Sequence, residues 1–95
     1  MMSKQEVNNL YNEVKGMLYE GFTSVDDIMA RYLVTFSFAN TMLNRLVRNP
    51  PEGYVAIVRF NGDKIAYRYL PIGHNWYKEF GVRLDKNTRV LKHKR

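Results

Sequence analysis

Hydrophobic positions in the first half of the chain recur at helical spacing. Val7, Leu10, Tyr11, Val14, Met17 and Leu18 fall on one stripe, the i, i+3, i+4, i+7 pattern of an amphipathic helix. Ser3 and Glu6 just ahead of it have capping-box spacing, in which each side chain satisfies an orphan backbone N–H. Gly21 suggests a left-handed stop, with Phe22 beyond it as a hydrophobic clasp. A second, short helix is expected from Thr23 or Ser24 to Tyr32 or Leu33. Asp26 and Asp27 suit the positive end of its dipole, and Val25, Ile28, Met29 and Tyr32 form its apolar stripe. The third helix is expected to begin at Thr35 or Ser37, both acceptable caps. Ala39, Met42, Leu43 and Leu46 face inward, and Asn49-Pro50-Pro51 stops the helix because proline cannot continue the ladder.

The pattern then changes to the β-branched and aromatic residues of YVAIVRF and DKIAYRYL, with Asn61-Gly62 between them. Asn-Gly predicts a β-hairpin with a type I′ turn, which needs positive φ at both central residues. That register pairs Val58 with Ile65, Ala56 with Tyr67 and Tyr54 with Tyr69. Tyr54, Ala56, Val58, Ile65, Tyr67 and Tyr69 then share a core-facing side. Val55, Ile57, Arg59, Lys64, Ala66 and Arg68 share a side that is basic toward the tip. Trp76, Tyr77 and Phe80 are expected to pack inward from one or two helical turns. Residues 83–95 read either as a short hairpin turning at Asp85-Lys86-Asn87 or as a basic arm. The division is a domain over 1–82 and a basic C-terminal segment over 83–95.

Composition adds limits. Hydrophobic residues are 45% of the 95 and charged residues 25%, enough apolar material for one packed core. The absence of cysteine removes disulfides and thiolate metal sites. The first residues lack the apolar run of a secretory signal, and the longest apolar run, Tyr54 to Val58, is far too short to span a bilayer. A cytoplasmic protein is therefore expected. Charge is uneven. Residues 1–47 hold four Lys/Arg against five Asp/Glu, and residues 48–95 hold eleven against four, so a net of −1 faces a net of +7. One face attractive to a polyanion follows.

The stretch IMARYLVTFSFANTMLNRL, Ile28 to Leu46, resembles the winged-helix variety of helix-turn-helix DNA-binding domains. Ile28, Tyr32, Val34, Thr35, Ala39, Met42 and Leu46 sit where that family puts its apolar and capping residues. With the first helix and the Asn-Gly hairpin, the resemblance covers about residues 3–70. It implies an α+β fold: a three-helix core, then a hairpin wing, then a short C-terminal helix or extended basic tail. Two features depart from the family. Leu33 stands where the turn commonly has glycine, so another backbone route or a longer turn is expected. Phe36 and Phe38 stand where polar or basic residues are more usual, and at least one of them could plug the core.

The resemblance makes the third helix, about Thr35–Arg48, a recognition helix. Its candidate DNA-binding residues are Thr35, Phe36, Ser37, Asn40, Thr41, Asn44, Arg45 and Arg48. Asparagine can bond adenine bidentately, serine and threonine can reach bases or phosphates, and an aromatic ring can touch a thymine methyl. Arg59, Lys64 and Arg68 are the candidate phosphate contacts of the wing, and Arg89, Lys92, Lys94 and Arg95 could add unspecific attraction. The expected function is a sequence-specific, double-stranded DNA-binding regulator. It would act as a homodimer through the first helix or the segment around Trp76 to Phe80. Two rivals remain: a protein-interaction module on the same scaffold, such as a phage- or plasmid-type factor docking onto host machinery, and an RNA binder. Catalysis has no footing. His74 and His93 lack a second ligand at i+3 or i+4, and there is no Gly-rich phosphate loop or nucleophile elbow. No metal, cofactor, membrane or small-molecule ligand is expected.

Overall fold

Ser3 caps the first helix, α1 (Lys4–Glu20), with the anticipated box: the Glu6 N–H donates to the Ser3 hydroxyl, and the Ser3 N–H donates to the Glu6 carboxylate. The structure is a computed structural model and describes residues 2–91. Gly21 does not stop α1 in the left-handed region. Its φ of −177° is extended backbone that any residue adopts, because the chain runs directly into a two-residue strand, β1 (Thr23–Ser24). Phe22 accordingly turns away from α1 and packs on the far side of the sheet.

Helix α2 (Val25–Tyr32) starts from a second capping box, made by Ser24 and Asp27. Only Ile28 of its stripe is fully buried. The joint that follows keeps its length: Leu33 itself adopts the left-handed conformation, φ 54° and ψ 40°, with its N–H donating to the Met29 carbonyl. The expected detour around a missing glycine is therefore absent. A leucine takes the strained backbone with 90% of its surface exposed. Thr35 then caps α3 (Phe36–Arg48), its hydroxyl accepting from the Phe38 N–H. Ala39, Met42, Leu43 and Val47 are buried, while Leu46 is half-buried.

The hairpin forms from β2 (Tyr54–Asn61) and β3 (Lys64–Pro71), but its turn is Gly62-Asp63 rather than Asn61-Gly62. Only Gly62 has positive φ, the requirement of a type II′ turn with glycine first. Pairs shift: Val58 faces Tyr67, Ala56 faces Tyr69 and Phe60 faces Ile65. Each partner is displaced by two residues along β3, and because side chains alternate with period two, the two faces keep their expected residues.

All the strands form one antiparallel sheet in the order β1-β3-β2-β4, where β4 is Thr88–Val90. Among the described residues after 82 no second hairpin forms. β4 lies along the outer edge of β2, and the Leu91 N–H extends the ladder to the Ala56 carbonyl. Lys92, His93, Lys94 and Arg95 lie outside the described residues.

Two cores flank the sheet. The larger joins Leu10, Val14, Leu18, Ile28, Ala39, Met42, Leu43 and Val47 to Ala56 and Tyr69. Tyr69 donates its hydroxyl to the Leu46 carbonyl, so α3 is tied to β3 by a polar bond inside an apolar layer. The side expected to be merely basic is covered instead. Ile57 and Leu70 pack under Val82, with Phe22, Val55, Trp76, Phe80 and Val90 around them. Helix α4 (Trp76–Phe80) supplies two of these rings, and the Trp76 indole donates to the Pro71 carbonyl at 2.7 Å. Tyr77 does not pack inward; it is 57% exposed.

Candidate nucleic-acid interface

Helix α3 turns three different sides away from the core. With Ala39, Met42, Leu43 and Val47 inward, the 3.6-residue period puts Ser37, Thr41, Asn44 and Arg48 along the outward ridge. Ser37, Thr41 and Arg48 are exposed and Asn44 is half-buried. Phe38 and Arg45 lie on the flank toward α1. There Phe38 closes the core, and Arg45 approaches the Tyr11 hydroxyl at 3.5 Å in a shallow groove shared with Val7, Thr35, Ser37 and Thr41.

Phe36 and Asn40 lie on the other flank, toward the hairpin. Together with Val25, Tyr67 and the turn residues Asp63, Lys64 and Ile65, they line a second groove. Of the two phenylalanines, Phe38 is therefore the plug and Phe36 the exposed ring, at 59%.

The hairpin cations separate. Lys64, beside the turn, joins Phe36 and Asn40 in the groove. Arg59 and Arg68 lie on the opposite face of the sheet from α3, each over an aromatic ring: Arg59 is 3.9 Å from the centre of Phe22 and Arg68 is 5.9 Å from that of Phe80. Burial pushes the Arg68 guanidinium below the usual arginine range, and its Nε has no hydrogen-bond partner. Arg83 stacks on Tyr77 and Arg89 on Phe60 in the same way, at 4.7 and 5.0 Å.

Carboxylates are not where they would neutralise these cations. Among the described residues His74 Nδ1 lies 2.6 Å from a Glu79 carboxylate oxygen, and no lysine or arginine has a carboxylate within 4.0 Å. The ridge of α3 has no acidic side chain. Asp26 and Asp63 do line the groove beside it. Reasoning from sequence gave Asp26 only a helix-start role and put Asp63 in a different register. The alternative Gly62-Asp63 turn, available from glycine's place in a II′ turn, was the signal for Asp63.

Among the described residues, no cluster of three His, Cys, Asp or Glu side chains could hold a metal ion, and no helix is long and apolar enough to cross a membrane. Comparison of the chain with protein-family models, curated proteins and solved structures gives no match.

Proposed function

We propose that the chain is a small winged-helix protein that binds double-stranded DNA in a sequence-specific way and acts as a transcriptional regulator. The observation that carries this reading is the outward ridge of α3. Ser37, Thr41, Asn44 and Arg48 form a polar strip without a carboxylate, bordered at its N-terminal half by the hairpin turn and Lys64. Side chains of these types hydrogen-bond base edges when a helix lies in the major groove. The order of elements agrees with it: helix, short strand, two helices joined by a tight turn, then a hairpin, with β3 between β1 and β2.

Phosphate contact falls to Arg48 and Arg45 on α3, neither of which has a carboxylate within 4.0 Å. One helix reads only a few base pairs, so a homodimer spanning half-sites about 34 Å apart is expected.

Exposed apolar side chains favour one rival. Phe36 and Ile65 are 59% and 43% exposed beside Asp26 and Asp63, and Leu33 is 90% exposed in the joint before α3, a surface that would also suit a protein partner with a basic, apolar segment. Titrating the chain at two salt concentrations against mixed duplex DNA, single-stranded DNA and structured RNA separates the readings. Duplex DNA should bind best, with affinity falling as salt rises. Preference for RNA, or no binding to any of the three at low salt, would overturn the DNA reading.

A further inference from the structure

From Phe36 to Asn44 every side chain of α3 is uncharged, and the first cation is Arg45. The N-terminal residues of a recognition helix are those that reach base edges. Guanine presents only acceptors there, N7 and O6, and is read best by arginine or lysine. Adenine presents an acceptor beside a donor, which an amide matches, and thymine presents a methyl group.

Phe36 and Asn40 are the groove-side pair at this end of α3, with Phe36 59% exposed. They stand one helical turn apart, about 6 Å along the axis, within reach of two neighbouring base pairs. Asp26 and Asp63 line the same groove. Their charge disfavours phosphates and the acceptor edge of guanine and leaves the amino groups of adenine and cytosine acceptable. The choice between those two falls to the amide of Asn40, which matches adenine's paired donor and acceptor, and to Phe36, which a thymine methyl fits.

We infer that the hairpin flank of α3 reads A·T base pairs, with Phe36 against a thymine C5-methyl and Asn40 bidentate on the N6 and N7 of an adenine. This rests on the DNA reading above and specifies which base edges it uses.

The experiment selects duplexes from a random pool with the full chain, then remakes the chosen site with deoxyuridine at one thymine at a time. Loss of one methyl should weaken wild-type binding about fourfold at a thymine in each half-site. Phe36→Ala should bind the thymine duplex about that much more weakly and lose nothing further with uracil. Asn40→Ala should lose about tenfold together with the adenine preference.

A motif read at guanines overturns both the Phe36 and the Asn40 contact, and indifference to uracil at every thymine overturns the Phe36 contact; either result leaves duplex recognition standing. Failure to select any motif removes duplex recognition itself, and the contacts with it. Circular dichroism checks that Phe36→Ala is folded; if it is not, the uracil series on the wild-type chain decides alone.

Discussion

Arginines occupy two sides of this sheet in different ways. On α3, Arg48 stands on the outward ridge, and Arg45 has only a long contact to the Tyr11 hydroxyl. On the far side, exposed Arg59 lies 3.9 Å from the centre of the Phe22 ring and half-buried Arg68 lies 5.9 Å from that of Phe80, two rings that pack against Ile57, Leu70 and Val82. All four were candidates for DNA contact. Their surroundings separate them: a guanidinium committed to a ring stabilises the fold, while one on an open ridge can exchange its water for phosphate. Charge alone does not mark an interface.

The sharpest way to break this contrast is to remove each pair. Arg59→Ala with Arg68→Ala should lower stability by about 2 kcal/mol in urea unfolding, from two lost stacks and their packing, and leave the salt dependence of DNA binding unchanged. Arg45→Ala with Arg48→Ala should do the reverse. Stability should stay within about 0.5 kcal/mol, while affinity falls about tenfold and the logarithmic salt slope drops by nearly 2. A reduced slope in the first pair would put the far side of the sheet into the interface.

The tie between α3 and the sheet gives a smaller effect. Tyr69→Phe should cost about 1 kcal/mol, because it leaves the Leu46 carbonyl without its donor. Burial pushes the Tyr69 phenol well above its ordinary value of 10.0, with Tyr19 nearby adding to the rise. The neutral form is therefore favoured in the folded state. Its stabilisation is fully present below pH 10 and is lost as the pH climbs through the raised value. Urea unfolding between pH 8 and 11.5 should show wild-type stability falling above pH 10, and less steeply in Tyr69→Phe.

Most of the fold was legible because its signals are local. The capping box at Ser3 and the caps at Ser24 and Thr35 act within three residues, as does the proline stop, and core spacing follows within each helix. The hairpin face survived a wrong register because a shift of two residues preserves alternation. The second core was not legible. Phe22, Ile57, Leu70, Val82 and Val90 come from segments far apart in the chain and meet across the sheet, and no local spacing announces the short strand β4. The α3 half of the candidate site was readable from helical period. The wing half was not, since the partners of Arg59 and Arg68 come from distant segments.

The joint before α3 offers the smallest test. Leu33→Gly should raise stability by about 0.5 to 1 kcal/mol by relieving a left-handed leucine that buries almost nothing. DNA affinity should be unchanged if the ridge, rather than this exposed side chain, makes the contact. A large loss of binding to a partner protein with no effect on DNA would instead favour docking through Leu33 and Phe36.

The central claim is that the exposed side of α3 distinguishes one DNA sequence from another. Selection from a random duplex pool, followed by titration of the wild-type chain and of Asn40→Ala with Asn44→Ala on the selected site, tests it most directly. The account predicts an enriched motif bound at least tenfold more weakly by the double variant, with binding to unrelated DNA unaltered. Equal affinity of both proteins for every duplex, vanishing together at higher salt, would contradict it.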